Sequence, residues 1–151
     1  MAKSELFRLN AASRSVSHTP KDVLAYSRVG SSPSGSSQNA FCVPPLQELE
    51  NFRVVVSTCF SASIPYGIGF QRGHFSYIFV DEAGQGTEPE VMIPIKLMAD
   101  RKTNIVLSGD NKQLGPIVRS PIARELGLAT SYLDRMMSSP LYDETKGHGK
   151  T

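Results

Sequence analysis

Asp81 and Glu82 stand side by side after the apolar run Tyr77-Ile78-Phe79-Val80, and Asp110 follows a second run, Ile105-Val106-Leu107, across Ser108 and Gly109. A hydrophobic strand fixes acids at a low-dielectric edge, where one carboxylate can hold Mg2+ and its neighbour can orient or deprotonate a water. Adjacent residues of an extended strand point opposite ways, so a turn beginning at Glu82 must bring both acids to one site. Ala83-Gly84 is small enough to permit that turn. A lone Asp-Glu pair at a strand end is more often a solvated turn. Here a second polar segment, Gly109-Asp110-Asn111-Lys112-Gln113-Leu114-Gly115-Pro116, again follows an apolar strand directly, and the pair together argues for a site.

The elements that must position these residues are legible in outline. A third apolar run, Val54-Val55-Val56, precedes Ser57-Thr58-Cys59. Near-continuous β-branched runs suit strands buried on both faces, as in a parallel sheet, and ligands gather at the carboxyl ends of such strands. Thr87-Glu88-Pro89-Glu90 fits a capping box with proline in the first turn, which opens a helix through about Ala99 with a kink expected at Pro94. Ser120-Pro121 starts a further short helix that Gly127 stops, and Thr130 or Ser131 caps another through about Met137. Strand, helix, strand, helix in that order implies right-handed crossovers and an α/β layered sheet.

Composition sets the bounds. With 151 residues, 40% of them apolar, the chain holds at most one ordinary domain with a modest core. A formal charge of +2 permits nucleic-acid contact without arguing for it. Between Met1 and Val43, five basic residues (Lys3, Arg8, Arg14, Lys21, Arg28) face two acidic ones, which reads as a basic arm. Ser31 to Asn39 is Ser/Gly/Pro-rich and has nothing to bury, so a flexible linker is expected. The division that follows is an arm with linker over 1–45, a folded part over 46–141 and a flexible tail over 142–151. Cys42 and Cys59 are lone thiols, and His18, His74 and His148 share no ligand spacing, so neither zinc nor a disulfide framework is indicated. No apolar run approaches the ~20 residues that span a bilayer, and the expected location is cytoplasmic or nuclear, with no membrane partner.

Asp81-Glu82-Ala83-Gly84-Gln85 and Gly109-Asp110-x-x-Gln113-Leu114-x-Pro116 resemble motifs II and III of superfamily 1 helicases, in the branch of the nonsense-mediated-decay and Armitage-type silencing RNA helicases. Glu88-Pro89-Glu90 and Arg119-Ser120-Pro121 are closest to the Armitage type. Val54 to Ser63 is similar to the nucleic-acid-contacting strand and loop of motif Ic, and Glu5 to Arg14 more loosely to motif Ib. The resemblance runs from about Glu5 to Leu141. It implies part of a recA-like P-loop NTPase domain, a mostly parallel sheet with flanking helices. By that resemblance Asp81 holds Mg2+ through water, Glu82 is the catalytic base, and Gln85 lies near the phosphates of ATP. Gln113 senses the γ-phosphate, with Gly109 and Asp110 shaping its loop. Thr58 and Ser61 face the RNA backbone, and Arg8 and Arg14 either join them or form a solvated basic segment. Implied partners are single-stranded RNA or an RNA duplex, with DNA left open, and silencing or decay factors.

A motor of this class needs a phosphate loop, yet no Gly-x-x-x-x-Gly-Lys-Ser/Thr precedes Asp81. Gly149-Lys150-Thr151 does not serve: the first glycine would fall at Glu144, no buried strand precedes it, and no helix can follow the last residue. The expectation is therefore a piece of a larger helicase that hydrolyses little alone. A non-catalytic RNA-binding remnant or a degenerate copy is the alternative. In the usual strand order of this class, the strand ending at Leu107 lies beside the missing phosphate-loop strand, which predicts an exposed apolar edge.

Overall fold

Leu6–Arg8 forms β1, which opens the first of two units, Met1–Arg72 and Gly73–Thr151, in a computed structural model that describes residues 4–11, 13–31, 39–110 and 114–142. The first unit continues through α1 (Lys21–Leu24), β2 (Val29–Ser31), β3 (Asn39–Phe41), α2 (Leu46–Leu49), β4 (Val54–Val56) and α3 (Ser63–Gly67). β1 and β4 pair in parallel, with Leu6 opposite Val54 and Arg8 opposite Val56, while β2 and β3 form an antiparallel pair. Phe7, Leu9, Leu49 and Phe70 fill the core, and the Phe7 and Phe52 rings meet at 5.3 Å. Burying each such side chain contributes about 1.5–3 kcal/mol. The segment read as an arm thus supplies β1 and half of this core. Alternation explains how a basic stretch does so: Phe7 and Leu9 point inward and Arg8, between them, stays half-buried. Of the expected linker, Ser31 and Asn39 pair as the ends of β2 and β3, and 32–38 lie outside the described residues.

The second unit contains β5 (Tyr77–Val80), α4 (Glu88–Met98), β6 (Asn104–Leu107), α5 (Pro121–Glu125) and α6 (Tyr132–Met137). All three apolar runs are strands, and β5 and β6 pair in parallel with Tyr77 opposite Asn104 and Val80 opposite Leu107. They do not share one sheet among the described residues: β4 takes β1 as its partner. Nor are they buried on both faces, since Phe79 is 71% exposed and Ile105 and Val106 are about 40% exposed. A two-stranded sheet with α4 lying against β5 has too few layers to cover both faces.

The helices begin where the capping chemistry predicts. Glu90 Oε2 accepts from both the backbone N–H and the hydroxyl of Thr87, at 2.9 and 2.8 Å. α4 then runs on through Pro94, which is buried in the helix together with Val91 and Met98. Ser120 Oγ accepts from Ala123 N to start α5, and of the two candidates for α6 it is Ser131 that caps, accepting from Asp134 N at 3.0 Å. Arg135 binds Glu88 through two N–H groups, at 2.7 and 2.5 Å, so α6 is tied to the first turn of α4. The hydrogen bonds that Arg135 donates to the Glu88 carboxylate push its guanidinium above its ordinary range. The register of β6 against β5 is locked by a turn: Asp100 Oδ1 accepts from Lys102 N and Thr103 N, Thr103 Oγ1 donates to Phe75 O, and Asn104 N reaches Ser76 O at 2.9 Å. The Lys102 N–H above all holds the Asp100 carboxyl below the usual carboxylate range. No helix among the described residues is long and apolar enough to cross a membrane.

Candidate functional site

Hydrogen bonding between β5 and β6 continues past their assigned ends, with Ser108 N donating to Val80 O at 2.9 Å and Ala83 N donating to Ser108 O at 2.8 Å. The two acidic loops therefore leave the same sheet edge together. The reversal required after Asp81 is made by Glu82 itself, whose φ of 53° is left-handed. A non-glycine residue rarely adopts that region, and holding it there costs about 1–3 kcal/mol. The turn breaks the alternation that would send the two carboxylates to opposite faces. Asp81 and Glu82 both remain exposed. Asp81 Oδ1 accepts from Glu82 N at 3.1 Å, and Glu82 Oε2 accepts from Gln85 Nε2 at 3.1 Å.

The loop after β5 meets the loop after β6 backbone to backbone. A Cβ on Gly84 would stand 2.9 Å from Asp110 O, and one on Gly109 would stand 3.1 Å from Ala83 N. Gly109 also has φ of 151°, so the close approach and the backbone conformation both call for glycine there. Ala83 is 1% exposed beneath this contact. Sequence reading identified Ala83-Gly84 only as small; the second reason, a close approach to Asp110, is tertiary. The signal for it is a glycine in each of two polar segments that follow paired strands.

Of the expected nucleotide-site residues, the fold brings Asp81, Glu82, Gln85, Gly109 and Asp110 to one edge. Gln113 lies outside the described residues. The donor set suits a hard cation. Among the described residues Asp81 keeps one carboxylate oxygen unengaged at an exposed strand end, and Mg2+ takes one or two carboxylates while retaining several waters. A separate open groove of about 560 Å³, lined by Glu88, Met92, Ala123, Leu126 and Leu128 among others, includes none of these acids.

In the first unit, the loop after β4 carries Thr58 and Ser61. Thr58 is exposed, whereas Ser61 is 2% exposed. Thr58 Oγ1 donates to Ser61 Oγ at 3.1 Å and accepts from Ser61 N at 3.2 Å, and Ala62 N donates to Thr58 O. Ser61 therefore braces the loop from within, and Thr58 presents its outer surface. The carboxyl end of β1 lies at the same sheet edge, since Leu9 N donates to Val56 O at 2.9 Å. Asn10, 7% exposed, donates to Arg8 O and Ser27 Oγ and accepts from Arg14 Nη1 at 3.1 Å, an anchoring role its position in a basic stretch did not announce.

A family profile described as an AAA domain matches residues 26–121. The chain is 50% identical over 91 residues to RNA helicase Mov10l1 of Homo sapiens, an alignment that covers 60% of this chain and 8% of that protein. It is 42% identical over 90 residues to the RNA helicase armi of Drosophila melanogaster, again 60% of this chain and 8% of the relative. Over a longer stretch it is 40% identical across 134 residues to the helicase mov-10-B.1 of Danio rerio, covering 88% of this chain and 12% of the relative. The chain thus spans only about a tenth of the length of the curated relatives it matches.

Proposed function

This chain belongs to the superfamily 1 RNA helicases of the nonsense-mediated-decay and Armitage branch, with part of their recA-like α/β fold, and from that premise we propose that it carries the metal-and-water half of an ATP site. The observation that carries the reading is the backbone contact of the two acidic loops, which sets Asp81, Glu82 and Gln85 beside Gly109 and Asp110. Mg2+, when bound, neutralises charge on the β and γ phosphates of ATP. Asp81 would hold that ion through water. Glu82 orients the attacking water and takes its proton, and the hydrogen bond from Gln85 keeps the Glu82 carboxylate in place for the task. Gln113 senses the γ-phosphate from the loop that Gly109 and Asp110 shape. In the intact helicase, hydrolysis at this edge drives the domain movement that separates RNA strands. Thr58 holds an RNA phosphate through its hydroxyl, with Ser61 bracing it. The partners proposed for the whole protein are RNA and silencing or decay factors.

With no phosphate loop upstream of Asp81, we expect this chain to hydrolyse ATP at or near background even with Mg2+ and single-stranded RNA. An RNA-stimulated phosphate-release assay on the purified chain measures this. Robust turnover that disappears in Glu82→Gln would show a self-sufficient site and overturn the claim that the phosphate loop is supplied from elsewhere.

A further inference from the structure

The loop that runs from Glu82 into α4 is tied repeatedly to one distant segment, residues 129–135. Leu133 covers Gly84, since the place a Cβ would take there lies 4.0 Å from Leu133 Cδ2. Thr87 makes an antiparallel bridge with Ser131, and Glu88 accepts both N–H groups of the Arg135 fork across 47 positions of sequence. Ser131 and Leu133 are buried at these contacts. The chain leaving the second acidic loop meets the same segment, because a Cβ on Gly115 would stand 3.3 Å from Ala129 O. Both acidic loops thus continue into contacts with residues 129–135.

Stability alone does not account for the ion pair among these ties. The Arg135 and Glu88 side chains are 53% and 37% exposed, and pairs so open to water add little to global stability. What a guanidinium fork adds is direction, since its plane meets a carboxylate in one orientation. Arg135 is seated for this by Tyr132, whose ring centroid lies 5.3 Å from the guanidinium carbon. The residue that needs direction is Glu82. Its left-handed backbone, at φ of 53°, persists only where neighbours over-determine it. Ala83 N donates to Ser108 O at 2.8 Å and Gln85 N to Glu82 O at 2.9 Å, which closes the turn at its start. Its far end is Thr87, which Glu90 binds into the first turn of α4. That turn of α4 is what Arg135 holds.

Resting on the reading of Glu82 as the base that takes a proton from water, we propose that Arg135 is a positioning residue for that step: through Glu88 it keeps the Glu82 turn left-handed and its carboxylate at the edge where Asp81 stands. It acts on the turn and not on the reacting atoms. Without the fork, the first turn of α4 is free to shift against α6, the loop gains slack, and Glu82 relaxes toward an ordinary torsion. The carboxylate then leaves its place beside Asp81.

The test is amide hydrogen exchange on the full 151-residue chain, joined to a Mn2+ titration followed by electron paramagnetic resonance. Arg135→Ala is expected to speed exchange at Ala83 and Gln85 by about tenfold, a local opening that leaves the rest of the strand pair closed. Asn104, whose N–H donates to Ser76 O at the other end of that pair, should exchange as in wild type. Arg135→Lys keeps the charge and loses the fork, so it should resemble Arg135→Ala. In a Glu88→Gln background the effect of Arg135→Ala should largely vanish, as it must for two partners of one interaction. Mn2+ affinity should fall by about tenfold in Arg135→Ala, as for other groups that act behind a metal site. Equal acceleration at Asn104 would show an ordinary loss of stability and overturn the proposal, as would unchanged exchange at Ala83 and Gln85. If wild type binds no Mn2+ while those two amides respond, the reading of the acids falls and the hold of Arg135 on the turn stands.

Discussion

The two parallel strand pairs are built alike and furnished oppositely. β1 with β4 and β5 with β6 each send two loops off a shared carboxyl edge. At the first edge stand guanidinium groups, a hydroxyl and the exposed ring of Phe60; at the second stand carboxylates and two glycines in backbone contact. The same geometric device therefore suits opposite charges in the two units, an anion at the first edge and a cation at the second, and loop composition makes the difference. The pairs differ also in support. Phe7 of β1 is 4% exposed, whereas Phe79 of β5 is 71% exposed and stacks on Tyr77 at 5.8 Å.

That difference in support predicts the largest contrast. Phe7→Ala should destabilise the first unit by about 3–5 kcal/mol. Phe79→Thr should shift stability by no more than about 0.5 kcal/mol while reducing aggregation on heating. Chemical denaturation with light scattering measures both, and equal losses would show that β5 is covered in solution. Next in size is Gly84→Ala, where the new methyl meets a backbone oxygen that cannot swing aside. It should cost about 1–3 kcal/mol and would break the pairing of the two acidic loops. Smallest is the Asp100 turn. Its carboxyl is held below the usual carboxylate range, so its stabilisation is fully present above the unfolded-state pKa and is lost as pH falls through the folded one. The melting temperatures of wild type and Asp100→Ala should therefore differ near neutral pH and converge in acid; a gap that persists in acid would show that the turn acts through something other than this charge.

Local chemistry was legible and layering was not. The three apolar runs, the Thr87-Glu90 box, the Ser120 cap and the Gly127 stop all follow from nearest-neighbour rules, and so each lies where expected. The choice of Ser131 over Thr130 turns on which hydroxyl faces Asp134 N, a matter of geometry. β1 escaped notice because three residues with an arginine in the middle show no period. An open edge was expected for β6, but the exposure of its faces escaped, since a β-branched run records a preference for burial and cannot say what is available to bury it. Of the candidate site residues, Asp81 and Glu82 stand out by type and position and Gln85 only through the family resemblance, whereas the burial of Ser61, whose hydroxyl accepts from Thr58, is tertiary.

Glu82 sets backbone comfort against side-chain chemistry. Its backbone conformation would be easier for glycine or asparagine. A glutamate standing in a left-handed turn is a residue that folding alone would not select. Glu82→Gly would relax that torsion and remove the carboxylate in one step, so backbone ease and the proposed chemistry pull in opposite directions at this residue.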